Sequence, residues 1–139
     1  MNVTIGGPGQ GTPDGGDSWH PGGPVLVIDD DAAVLSVTRR QLERVGISAY
    51  TALDAEAAMV IFKEHQSEIS AVLIDLSLRD LGGEQMLANL RALRPDMPAL
   101  FISGELTSDA LADDHVAYVA KPFRAANLVK ALRSVMEGA

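Results

Sequence analysis

Three runs in this chain, Val25-Leu26-Val27-Ile28, Ala71-Val72-Leu73-Ile74 and Ala99-Leu100-Phe101-Ile102, are apolar at every position. A strand points successive side chains to opposite faces, so a strand without a polar residue must be covered on both sides. That requirement excludes a sheet with one face in water and calls for helices above and below it. Each run also ends in polar residues: Asp29-Asp30-Asp31 after the first, Asp75 after the second, Ser103-Gly104 after the third.

The intervening residues supply the helices. From Ala32 to Val45, Val34, Val37 or Thr38, Leu42 and Val45 recur at helical spacing before Gly46 stops the run. Asp31 stands at the N-cap position, and Asp54 caps a helix carrying Ala58, Ile61 and Phe62 on one side. Glu84 to Leu93 places Met86, Leu87 and Leu90 inward, and Ala125 to Met136 does so with Leu128, Leu132 and Val135 or Met136. Ile47–Thr51 and Val116–Ala120 read as two further strands. Only seventeen residues separate Ser103 from Lys121, which leaves room for a short helix beginning near Thr107 to Asp109 and ending by Asp113.

Strands alternating with helices at this spacing predict right-handed crossovers and an α/β fold: a doubly wound, five-stranded parallel sheet of order 2-1-3-4-5 with helices on both faces. In that order the first and third strands adjoin where the strand order reverses, and ligands of such sheets bind beyond the strands' C-terminal ends at that place. Asp29, Asp30 and Asp75 are thereby predicted to converge, flanked by Ser103 and Lys121. Carboxylates in contact repel one another and call for a shared cation; a hard divalent ion such as Mg²⁺ (or Mn²⁺) takes oxygen ligands and bridges them to phosphoryl groups. A lysine and a strand-end hydroxyl beside such a pair suit an aspartyl phosphate.

Composition narrows the class. The 11 Lys and Arg against 19 Asp and Glu give a net charge of -8, which repels a phosphate backbone and argues against direct nucleic-acid binding. With no cysteine, disulfides and thiolate metal sites are excluded. No apolar run approaches the roughly 18 residues of a membrane span, and Met1-Asn2-Val3-Thr4-Ile5 lacks the parts of a signal peptide, so a cytoplasmic chain without membrane contact is expected. Residues 1–23 are rich in Gly and Pro and are expected to form a flexible arm or linker, with Trp19-His20 as a solvated pair; residues 24–139 form the domain. Gly7 and Gly9 lack the third glycine of a dinucleotide fingerprint, because position 12 is Thr12. His65 and His115 have no second ligand at metal spacing and are expected at the surface.

Val-Leu-Val-Ile-Asp29-Asp30, Leu-Ile-Asp75-Leu-Ser-Leu-Arg-Asp-Leu-Gly-Gly83, Phe-Ile-Ser103-Gly104 and Tyr118-Val-Ala-Lys121-Pro122-Phe123, in this order and each at a strand end, resemble the receiver domain of two-component response regulators. The resemblance covers residues 25–138 and implies a flavodoxin-like fold. It implies that Asp75 is the phosphoacceptor, taking a phosphoryl group from a sensor histidine kinase, a phosphotransfer protein or a small donor. Asp30, Asp75 and the Ser77 backbone carbonyl would hold Mg²⁺ directly, and Asp29 through a water. Lys121, Ser103 and Gly104 would bind the phosphoryl group. Ser103 with Tyr118 would form the switch acting on the face of the family's fourth helix, fifth strand and fifth helix, where a downstream protein reads it. Ser77 and Glu105 would tune the phosphoryl lifetime. The Lys121–Pro122 bond is expected to be cis.

Arg79 stands where the family often has proline, which is expected to loosen the loop after Asp75 without removing chemistry. The reading is of a signalling phosphoacceptor rather than an enzyme, either a stand-alone regulator or a receiver from a hybrid kinase. Two alternatives remain at this level. One is a small phosphatase or phosphotransferase that forms an aspartyl phosphate, although such enzymes usually carry a second acid where this chain has Ser77. The other is a degenerate receiver used only for protein docking.

Overall fold

The computed structural model describes residues 19–106, 109–113 and 115–137. Along the chain these form β1 (Val25–Ile28), α1 (Ala32–Arg44), β2 (Ala49–Ala52), α2 (Ala55–His65), β3 (Ala71–Asp75), α3 (Gly83–Leu93), β4 (Ala99–Ser103), β5 (Ala110–Asp113), β6 (Val116–Ala120) and α4 (Ala125–Glu137). One sheet orders its strands β2-β1-β3-β4-β6-β5. The first five of these run parallel, giving the predicted 2-1-3-4-5 arrangement when parallel strands alone are counted.

Both faces of the sheet are covered, as the all-apolar runs require. Leu26, Ile28, Val72, Ile74 and Phe101 pack with Ala58 and Phe62 of α2 and Met86, Leu87 and Leu90 of α3. The alternate positions Val25, Val27, Leu73, Leu100 and Ile102 pack with Leu35 and Leu42 of α1 and Leu128, Leu132 and Val135 of α4. On α1 the buried stripe is Leu35, Thr38 and Leu42, one residue out of phase with the predicted Val34, and Val37 faces solvent at 53% exposure. Asp31 and Asp54 cap α1 and α2 through their side chains.

The segment before α4 differs from expectation. In place of a short helix ending by Asp113, Ala110–Asp113 form β5, an antiparallel partner to β6 with an irregular register between Leu111 and Asp113; Thr107, the earliest start expected for that helix, lies outside the described residues. A helix this short is marginal on its own, whereas a strand laid on the open edge of β6 satisfies that edge's backbone groups. The face expected from a fourth helix is therefore a β5–β6 hairpin beside α4. The Asp109 side chain adds to it, accepting the Ala120 amide at 2.8 Å.

Residues 1–18, most of the predicted arm, lie outside the described residues. Trp19, expected in solvent, is half-buried against the α1 and α4 layer, and His20 pairs with the Val45 carbonyl at 3.1 Å. Gly23 passes so close to Glu68 that a Cβ there would lie 2.4 Å from its carbonyl oxygen, and the Ser70 hydroxyl donates to the Gly23 carbonyl at 2.9 Å. The two histidines read as plain surface residues are engaged as well. His65 stacks on Tyr50 with ring centroids 4.5 Å apart, and His115 Nδ1 lies 3.0 Å from the Val135 carbonyl. The Tyr50 hydroxyl donates to Glu68, which raises the Tyr50 pKa.

Candidate functional site

At the C-terminal edge of the sheet, β1 and β3 are neighbours in parallel register, with Ile28 opposite Ile74. Asp29 therefore emerges beside Asp75. Asp29, Asp30 and Asp75 each offer a carboxylate oxygen, and these oxygens lie within 4.8 Å of one another. Asp29 and Asp75 are buried, at 4% and 5% exposure, while Asp30 lies nearer the surface.

Lys121 follows β6 and reaches across to both buried acids, with Nζ 3.2 Å from Asp29 Oδ2 and 3.7 Å from Asp75 Oδ2. Its bond to Pro122 is cis, and its amide donates to the Ser103 carbonyl at 2.9 Å, which ties the ends of β4 and β6 together. Burial pushes the Asp29 carboxyl above the ordinary carboxylate range, and the neighbouring Asp75 charge adds to that push. The Asp31 amide, 2.9 Å from Asp29 Oδ1, and the Lys121 ammonium act in the other direction. Two buried carboxylates share one ammonium, and a third carboxylate adjoins them. Such a donor set, oxygen only and short of positive charge, fits a hard divalent cation.

Asp75 Oδ1 accepts two bonds from Ser77, from the amide at 3.0 Å and the hydroxyl at 2.9 Å. Ser103 ends β4 next to Asp75's strand, with Asp75 opposite Ile102. Its Oγ accepts the Glu105 amide at 3.1 Å, so Gly104 and Glu105 form a tight turn beyond the strand. Tyr118 on β6 is half-buried and lies opposite Phe101, their ring centroids 5.4 Å apart. Gly83 lets α3 start close under the site, since a Cβ there would lie 3.0 Å from the Asp75 carbonyl oxygen.

Sequence reasoning missed the partner of Asp30. Arg79 turns back from the loop after β3, its Nε 3.0 Å and its amide 3.3 Å from Asp30 Oδ2. These bonds hold the Asp30 carboxyl below its usual pKa range. The available signal was a lone basic residue four positions beyond the strand-end acid, in a pocket with an excess of negative charge.

The response regulator receiver domain family matches residues 25–133. The chain belongs to that family. Among curated relatives, the transcriptional regulatory protein PrrA of Mycobacterium bovis is 32% identical over 119 residues, covering 81% of this chain. The match takes in 49% of PrrA, so the chain spans about half the length of that relative. The receiver domain of the hybrid histidine kinase CckA aligns with a TM-score of 0.70 at 27% identity, over 82% of this chain and 99% of that one. The CheX-CheY-BeF3-Mg+2 complex from Borrelia burgdorferi shares the fold, at a TM-score of 0.69 and 21% identity over 81% of this chain and 88% of that one. In this receiver domain no described helix is long and apolar enough to cross a membrane.

Proposed function

We propose that this receiver domain is a phosphoacceptor in a two-component relay, with Asp75 taking the phosphoryl group of a phosphohistidine on a sensor kinase or phosphotransfer protein. The observation that carries the reading is the meeting of Asp29, Asp30 and Asp75 within 4.8 Å, with Lys121 paired to the two buried members. In the transfer, an Asp75 carboxylate oxygen attacks phosphorus in line, the phosphorus–nitrogen bond breaks, and its electron pair leaves on the imidazole.

Asp30, Asp75 and the Ser77 carbonyl would hold Mg²⁺ or Mn²⁺, with Asp29 acting through a water. When bound, the cation would neutralise carboxylate and phosphoryl charge. Lys121 already faces Asp75, and its ammonium pairs with a phosphoryl oxygen as charge builds there. The Ser103 hydroxyl and the Gly104 turn bind the modified group. With Tyr118 moving inward beside Phe101, they shift a pre-existing equilibrium on the surface formed by the β5–β6 hairpin and α4. Ser77, already bonded to Asp75, and Glu105 border the approach of a hydrolytic water and set how long the phosphoryl group lasts. The downstream reader is a protein, and the domain works in the cytoplasm as a signalling part rather than as a turnover enzyme. The hydroxyl of Ser77, standing where aspartyl-phosphate hydrolases usually carry a second acid, supports that choice.

Intact-mass spectrometry after incubation with acetyl phosphate and Mg²⁺ tests this directly. A phosphoryl adduct on the wild type that is lost in Asp75→Asn is expected. No adduct on the wild type, together with unchanged amide resonances on adding beryllofluoride and Mg²⁺, overturns it.

A further inference from the structure

The three carboxylates are neutralised from two sides. Lys121, at the β6 end, reaches Asp29 and Asp75. Arg79, on the loop after β3, reaches Asp30, and it does so with two N–H groups on the same oxygen, Oδ2. The two cationic residues are held very differently. Lys121 is mostly covered, at 26% side-chain exposure, whereas Arg79 is 84% exposed. The guanidinium is held by the Nε bond to Asp30 Oδ2 and is otherwise open to solvent, so it can swing away at little cost in packing.

A guanidinium is charged at every accessible pH, so protonation does not govern this contact. A divalent cation at the cluster requires lone pairs of the same carboxylate that Arg79 occupies. We propose that Arg79 is an intramolecular competitor for the cation: its guanidinium neutralises Asp30 in the metal-free domain, gives up that carboxylate as the cation binds, and so raises the cation concentration at which the site fills. This rests on the phosphoacceptor reading above and adds a cation threshold to it. Phosphoryl loading would then respond to the free divalent-cation level over a higher range than with a neutral residue in the loop.

The test is Mg²⁺ binding to the unphosphorylated protein, measured by calorimetry and by amide shifts, for wild type, Arg79→Ala and Arg79→Glu. Arg79→Ala, which removes one exposed ion pair, should bind Mg²⁺ about two- to five-fold more tightly, and Arg79→Glu more tightly still. In the wild type, the Arg79 Nε–H resonance should move towards that of a free guanidinium as Mg²⁺ is added. Circular dichroism and melting should show both variants folded, since the side chain is solvent-exposed. Wild-type binding with Arg79→Ala no tighter, or weaker, overturns the competitor role alone. Failure of both wild type and Arg79→Ala to bind Mg²⁺ overturns the site reading and this inference with it.

Discussion

Replacing Lys121 with Met keeps the aliphatic stem and removes the ammonium that lies 3.2 Å from Asp29 and 3.7 Å from Asp75. At an effective dielectric constant of about 20 each contact is worth roughly 4 to 5 kcal/mol of attraction, against about 3 to 4 kcal/mol of repulsion between two carboxylates separated as these are. That full loss will not be observed, because the metal-free protein has a cheaper response. Asp29, already pushed upward by burial, takes a proton. Protonating an aspartate of ordinary pKa, 3.8, at pH 7 costs at most about 4.4 kcal/mol, and at pH 5 about 1.6 kcal/mol.

Lys121→Met should therefore lower the unfolding free energy by about 2 to 4 kcal/mol at pH 7 and by less than about 1.6 kcal/mol at pH 5. Urea unfolding followed by circular dichroism, in EDTA, measures both. The direction follows from proton binding. Asp29 keeps its proton to higher pH in the folded chain than in the unfolded one, so between those two pKa values stability falls as pH rises, and the substitution widens that window upward. A loss of the same size at both pH values, or one under about 0.5 kcal/mol at pH 7, would refute the account of Lys121 as the counter-ion of two buried acids.

Asp29→Asn removes one of the two buried charges while leaving an acceptor for the Asp31 amide; in EDTA it should raise stability by roughly 1 kcal/mol at pH 7, with the gain gone below about pH 4, and thermal melts across that range check it. Gly23→Ala drives a Cβ onto the Glu68 carbonyl and should cost about 1 to 3 kcal/mol in urea unfolding, whereas an unchanged midpoint would mean the segment before β1 is not seated there. Trp19→Ala should cost about 1 kcal/mol in the same assay, since half of a large ring leaves the α1 and α4 layer. Asp31→Ala removes the bonds to the Ala33 and Val34 amides and should cost about 1 kcal/mol without altering Mg²⁺ binding measured by calorimetry.

The parts legible in the sequence are those set by local pattern. Runs such as Val25–Ile28 and Ala71–Ile74 have no polar side to turn outward, so their burial between helices followed from pleat geometry alone. The caps Asp31 and Asp54, and the inward faces of α3 and α4, likewise depend on residues a turn or two apart. What escaped depends on partners far along the chain. Trp19 and His20 dock on the surface around Val45 and the α4 layer, which no local signal announces. Ala110-Leu111-Ala112-Asp113 suits a helix or a strand about equally, and the open edge of β6 decided for the strand. Arg79 read as a loop residue because its partner, Asp30, lies 49 positions away.

Strand parity also divides the site. Asp29, Asp75 and Lys121 continue the odd-numbered positions Val25, Val27, Ala71, Leu73, Ala117 and Val119, which face α1 and α4. Ser103 and Tyr118 continue or belong to the opposite set, with Ala99, Phe101 and Val116 against α2 and α3. Asp29, Asp75 and Lys121 thus follow one layer of the core, and Ser103 and Tyr118 follow the other. One short link between them is at the end of β4 and β6, where the Lys121 amide meets the Ser103 carbonyl and the preceding Ala120 amide meets Asp109. In a chain where a hairpin stands in for a helix, that link opens onto β5 directly. The Asp75–Lys121 ion pair, the covalent step from Lys121 to Ala120 and the Ala120–Asp109 bond thus join the acid cluster to the residue that precedes β5.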